Sequence, residues 1–316
     1  MSEATFLKDG RLERAGLSPL LSAVLGLMAA FLLFQGISAV VLVGFTIMSG
    51  VALADLMTQT GLSDFLTEHA DIVIWSNTIG QIFGLLLPGL WFARLHSSTV
   101  RSFLRLRRVP VGMVVLAVIG LLALIPLVQW TATLFDGLPW PQWIRDMEEG
   151  QMVLIEQVLM QDFSLLFTIS MLALTPAICE EILFRGFVQR QAERRLGAWG
   201  GILFSGIIFG FYHLRLTQAI PLSLLGIFMA WLTWRTRSLW PAIIVHLLNN
   251  TFAAVLGKMA SKEGSNIDVE SFEFPILITA LSALVLAAMV TLIHRIAVRT
   301  WPDEATTADS QAQDSA

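Results

Sequence analysis

Residues 163–188 read FSLLFTISMLALTPAICEEILFRGFV. A helix that crosses a bilayer needs about 20 mostly apolar residues, because the hydrocarbon is roughly 30 Å thick and each residue rises 1.5 Å. This stretch meets that length and carries two acids and an arginine inside it. Charge at membrane depth costs on the order of 2.5–3.5 kcal/mol per residue on insertion scales. Glu180, Glu181 and Arg185 therefore need a reason to be there. The stretch reads as a transmembrane helix with a polar task.

The rest of the chain agrees with a membrane setting. Of 316 residues, 55% are apolar and 14% charged, with a mean hydropathy of +0.71; a soluble domain carries roughly 25% charge. That balance excludes a water-soluble domain and an intrinsically disordered chain. Cys179 is the single cysteine, which excludes a disulfide-built scaffold. A net charge of −4 and the lack of a basic patch argue against nucleic acid as a partner. The fold class is thus an all-α polytopic membrane protein.

Apolar runs predict eight transmembrane helices over 17–49, 72–95, 110–134, 163–188, 198–214, 220–234, 239–257 and 274–293. The first is long enough to tilt, extend beyond the bilayer, or kink at Gly36 or Gly44. Positive residues gather on the cytoplasmic side of membrane proteins. With both termini cytoplasmic, most of the 20 Lys and Arg fall on that side; Arg145, Arg215, Lys258 and Lys262 fall outside, and Arg185 lies within a span. The acidic loops 50–71, 135–162 and 258–273 then face outward. This divides the chain into a cytoplasmic leader (1–16), a membrane domain (17–301, with a core about 163–257) and a polar, disordered tail (302–316). No cleavable signal peptide is expected, and the setting is that of a bacterial inner membrane. The segment 138–162 reads as a helix lying along the interface.

Helical arithmetic puts the polar intrusions at one depth. Glu180 lies about 15 Å above the basic edge at Arg190, and His246 about 13.5 Å above Arg237. If Gly197 turns the chain between spans four and five, Glu180 and His213 lie nearly the same number of residues on either side of it. His246 and Asn250, one turn apart, share a helix face. Adjacent helical residues diverge by about 100°, so Glu180 and Glu181 should turn to different partners. Glu181 and Arg185 stand at i, i+4 in the favoured order for a structural ion pair, which leaves Glu180 to face His213. Cys179 reads as a small, inert packed thiol and Ser205 as a close-packing residue beside Gly206. Neither Gly-x-Ser-x-Gly nor His-Glu-x-x-His occurs, which disfavours a nucleophile-elbow hydrolase and a zincin.

Three short motifs in order resemble those of the CPBP intramembrane proteases, the group that includes CAAX prenyl endopeptidases and bacteriocin-processing (Abi) proteins. They are Glu180-Glu181-Ile182-Leu183-Phe184-Arg185, Phe209-Gly210-Phe211-Tyr212-His213, and His246-Leu247-Leu248-Asn249-Asn250. The resemblance covers roughly 163–257 and implies eight spans with a polar catalytic pocket among spans 4, 5 and 7. It also implies an intramembrane glutamic endopeptidase that needs no cofactor. By that resemblance Glu180 and His213 activate the attacking water, His246 and Asn250 form the oxyanion hole, and Glu181 with Arg185 holds the architecture. The expected partners are a peptide or membrane-protein substrate and the lipid bilayer. Two other readings stay open: a zinc metalloprotease with Glu180, His213 and His246 as ligands, and a non-catalytic scaffold or ion or proton pathway.

Overall fold

The structure, a computed structural model, describes residues 7–52, 54, 59–262 and 274–301. The tail from 302 and most of the loop at 258–273 lie outside the described residues, as do five positions of the loop at 50–71. Among the described residues the secondary structure is helical, with no strand. In chain order the helices are α1 (Arg11–Arg14), α2 (Pro19–Met48), α3 (Gln59–Gln81, carried on through Ile82–Leu86 and Leu87–His96) and α4 (Val100–Phe103). They continue with α5 (Val111–Asp136), α6 (Gln142–Met160), α7 (Leu165–Tyr212), α8 (Ala219–Thr236), α9 (Trp240–Lys262) and α10 (Ile276–Thr300).

Seven of these are long and apolar enough to cross a membrane. The 48-residue α7 is one of them, and it is not straight. Gly197 takes φ 73° and ψ 176°, a backbone conformation closed to residues with a Cβ, and the chain doubles back there. Gly201 consequently packs against Glu193, and Ser205 Oγ donates to the Phe184 carbonyl at 3.1 Å. Against the eight spans expected, the membrane-length elements counted by helix number seven, α7 being folded at Gly197 into two legs. The turn at Gly197 is the one the depth arithmetic requires. α2 runs unbroken through Gly36 and Gly44, so its 30 residues extend, without a kink, beyond a bilayer's hydrocarbon thickness. Within the segment 138–162 lies α6, a separate helix that is not among the seven.

The outer helices meet lipid through their apolar faces, with Leu32 66%, Val40 72% and Leu284 68% exposed. The first leg of α7 is the opposite case, buried at every position from Glu181 to Arg190. A helix covered all round is the centre of a bundle. Prolines shape its entry. Pro176 cannot donate to the carbonyl of Leu172, and its ring crowds that group. The backbone widens into a π-helix over Ser170–Leu174, and Thr175 Oγ1 donates to the Ser170 carbonyl at 2.9 Å. Pro88 stands in the same relation to Gly84 and the π segment Ile82–Leu86. Against the second leg, α8 packs backbone to backbone: a Cβ at Gly226 would come 2.5 Å from the Gly206 carbonyl oxygen. Small residues permit that approach, which in a membrane supplies packing that lipid cannot.

At the basic end the leader is tied down. Glu13 Oε1 lies 2.7 Å from His96 Nδ1, and His96 Nε2 lies 2.5 Å from Ser22 Oγ. Arg194 grips the same carboxylate at 2.5 and 2.9 Å. The Ser–His–Glu order is that of a charge relay. However, Ser22 is 3% and His96 0% exposed, so no peptide can reach the hydroxyl. The constellation is a latch joining the leader to α2, α3 and α7. Burial raises the Glu13 carboxyl, but the hydrogen bonds and charges of Arg194 and His96 outweigh it and hold the group below its ordinary 4.5.

A carboxyl so depressed contributes stability above its ordinary range, and that contribution is lost as pH falls through the depressed value. Glu13→Gln should lower the Tm of the purified protein by about 2–4 °C at pH 7. The difference from wild type should shrink toward zero as melting curves are taken at pH values falling below 4.5.

Candidate active site

The site is built around a fully buried cation. Arg185 has no exposure, and an isolated buried charge costs several kcal/mol. Three contacts offset that cost. Nη1 donates to Glu181 Oε1 at 2.7 Å, Nη2 donates to the Gly226 carbonyl at 3.1 Å, and the guanidinium lies 4.2 Å from the centre of the Phe209 ring. The arginine thus joins both legs of α7 to α8. A π segment over Ile182–Val188 surrounds it, in line with the tendency of such bulges to mark functional sites.

Glu181 does more than neutralise Arg185. Its Oε1 also lies 2.9 Å from Nδ1 of His246, which reaches in from α9. Facing a carboxylate, Nδ1 carries its proton, which turns Nε2 toward the adjacent acid. Glu180 Oε2 stands 3.9 Å from that Nε2. The angular argument that separates Glu180 from Glu181 holds for Arg185, which only Glu181 touches. It fails for His246, because an imidazole has a nitrogen on each side and takes one glutamate at each.

His213 ends α7, and its Nδ1 donates to the Phe209 carbonyl one turn earlier, at 2.8 Å. That bond assigns the Nδ1–H tautomer and leaves Nε2 as the acceptor. Among the described residues the ion-pair contact of Glu180 is with His246, and His213 makes none with it. The two imidazoles are nevertheless neighbours of one ring, since the Phe209 centroid lies 4.8 Å from His213 and 5.6 Å from His246, edge to face in both cases. Asn250 stands one turn beyond His246, and its Oδ1 accepts from Asn249 Nδ2 at 3.2 Å. Ser205 binds a backbone carbonyl and Cys179 is buried, so neither offers a nucleophile.

Glu180 Oε2, Glu181 Oε2 and Tyr212 Oη are buried without a hydrogen-bond partner among the described residues. Tyr212 packs edge to face on Phe184 at 5.0 Å and on Phe31 at 5.4 Å. The site is therefore aromatic on the second-leg side, where Phe209 and Tyr212 pack beside His213. A zinc ion would need three protein ligands on one point. Among the described residues no three His, Cys, Asp or Glu side chains are grouped closely enough for that.

One contact near the site has no counterpart in the motif reading. Glu148, in the middle of α6 and only 7% exposed, accepts from Thr217 N at 3.1 Å and from Thr217 Oγ1 at 2.5 Å. This pins α6 onto the turn that follows His213. The buried acid in an otherwise amphipathic helix is the sequence signal that could have found it, but the helical pattern alone gives it no partner.

Residues 162–252 match the family model described as "Type II CAAX prenyl endopeptidase Rce1-like". A protein of Bacillus subtilis (strain 168), named "Putative membrane peptidase YdiL", is 32% identical over 79 residues, which is 25% of this chain and 32% of that protein. The match thus spans about a third of the length of that curated relative. No solved structure matches. Together these findings support, for the region that holds the site, the CPBP/CAAX protease family that its three motifs resemble.

Removing the anion from the buried centre should be severe. Glu181→Gln leaves Arg185 without its ion pair and His246 without its acceptor charge, a loss on the order of 3–5 kcal/mol. Expected readouts are lower yield in membranes and a large fall in Tm in detergent, whereas Asn249→Ala, which removes one amide hydrogen bond, should melt close to wild type.

Proposed function

We propose that the protein is an intramembrane endopeptidase in which Glu180 activates the water that attacks a peptide bond. The observation that carries this reading is the buried Glu180 oxygen, unpartnered and 3.9 Å from His246 Nε2. That gap is too long for a direct hydrogen bond. It is short enough for one water to be held by both groups at ordinary lengths of about 2.8 Å.

The water gives its proton to Glu180, and the resulting hydroxide adds to the carbonyl carbon of the substrate. The negative charge on the carbonyl oxygen then needs donors aimed at it. In its imidazolium form His246 supplies one from Nε2, with Nδ1 held on the Glu181 carboxylate. The amide nitrogen of Asn250, one turn along the same face, supplies another. His213 Nε2, left as an acceptor by the Phe209 carbonyl, helps to orient the water. Glu180 returns the proton to the leaving amine, which breaks the peptide bond and restores the site. No step requires a metal, and the donor arrangement supports the glutamate reading over zinc.

The substrate class we propose is a peptide or membrane-protein segment within the membrane. It enters laterally or from the basic end, which on this reading is cytoplasmic along with both termini, in a bacterial inner membrane. The family model and the membrane-peptidase relative support hydrolysis rather than ion passage for the same residues.

Membrane proteomes of cells carrying wild type and Glu180→Gln should differ by fragments present only with the wild type. The variant should still insert and melt normally, with cleavage reduced by 10²-fold or more. Identical fragment profiles, or full function in the variant, would favour a scaffold or proton pathway. Cleavage abolished by a chelator and restored by zinc would favour the metalloprotease.

A further inference from the structure

The basic end of the bundle carries a cleft of about 410 Å³ that the proposed chemistry does not use. It is lined by Arg11 and Arg14 of the leader and by Trp91, Arg94 and Ser98 at the end of α3, with Asp9 at its edge. The two walls are some eighty positions apart in the chain, which is why the sequence shows no basic patch here. Tertiary contacts hold them together. Gly10 N donates to the His96 carbonyl at 3.2 Å, and Ser98 donates to the Asp9 carboxylate from N at 2.7 Å and from Oγ at 2.5 Å. Gly10 fits so closely that a Cβ would come 2.1 Å from the Leu95 carbonyl oxygen. The Glu13–His96–Arg194 latch anchors the next turn of the leader. The cleft is therefore preformed.

Its charges are unbalanced. Both oxygens of the lone carboxylate, Asp9, are engaged by Ser98, and Arg14 donates to the Asp9 backbone carbonyl rather than to an acid. Arg94 donates to the Ser97 carbonyl at 3.4 Å, and its charge also acts on Asp9. The exposed Arg11 side chain has no partner among the described residues. Three guanidiniums thus face one cleft that holds a single carboxylate, an arrangement suited to a phosphate. Its position selects the source. Trp91 is 60% exposed, one turn before Arg94 on a membrane-spanning helix, where amphipathic rings mark the headgroup level.

We infer that this cleft binds the phosphodiester headgroup of an anionic phospholipid, with the acyl chains running beside Trp91. Headgroup phosphates occupy the level of the cleft, and interfacial arginines attract anionic lipid. The site lies apart from Glu180 and does not depend on the peptidase reading. It also gives the latch a consequence, because a bound lipid clamps the leader against α3 from outside while Glu13 clamps it from within.

Native mass spectrometry of the full-length protein in detergent, with phosphatidylglycerol or phosphatidylcholine of matched acyl chains, tests this directly. Wild type should retain phosphatidylglycerol adducts in clear preference to phosphatidylcholine. Arg11→Gln/Arg94→Gln should lose that preference by about tenfold, while Arg101→Gln/Arg108→Gln, equal in charge but outside the cleft, should keep it. Should the first pair fail to fold, Arg11→Gln alone gives the reading, since its exposed side chain supports no other residue. Equal retention of the two lipids by wild type, or equal loss in the control pair, would overturn the inference. So would thermal stabilisation by inorganic phosphate that matches phosphatidylglycerol and vanishes in Arg11→Gln/Arg94→Gln, which would assign the cleft to a free oxyanion.

Discussion

A guanidinium sealed inside a helical bundle needs partners for its charge, and Arg185 imposes that demand on this fold. Its ion pair fixes Glu181, its second nitrogen caps the Gly226 carbonyl, and its flat face rests on Phe209. Each contact lies on a different segment, so one charge sets the distances among both legs of α7 and α8. Because Glu181 also holds His246, α9 is registered to the same centre. In a low-dielectric interior the loss of one partner from such a network is strongly destabilising. The catalytic geometry proposed for Glu180 and His246 is a by-product of that network.

The central helix meets this demand because the backbone around it gives way in defined places. Gly197 reverses the chain where a side chain would forbid it, and Gly206 and Gly226 let two helices touch through their backbones. The prolines at 88 and 176 widen the turns before them rather than breaking the helices, since neighbouring helices cover the freed carbonyls. The outcome is a leg of α7 enclosed from Glu181 to Arg190. Glu13 and Arg194 tie its basic end, and Glu148 with Thr217 ties α6 to the turn that follows the second leg.

Composition and apolar run length were enough to read an all-α membrane protein, because a lipid solvent leaves so few alternatives. The i, i+4 spacing of Glu181 and Arg185 and the reversal at Gly197 were legible for the same local reason: each depends on helix geometry within one segment. The motif residues Glu180, His213, His246 and Asn250 could be found in the sequence, and simple rise-per-residue counting put them at one depth. Counting along helices says nothing about rotation between them, so it could not say which imidazole Glu180 meets.

That choice belongs to the tertiary structure. Rotation of α9 against α7 places both nitrogens of His246 between two adjacent acids, an outcome that no periodicity within either helix contains. The same holds for Glu148 with Thr217, for the Ser22–His96–Glu13 latch, and for the arginine cleft, each assembled from residues dozens of positions apart. Apolar patterning fixes which segments enter the membrane because it depends on transfer free energy, summed residue by residue. Partners across helices depend on packing angles and shape, which only the folded bundle determines.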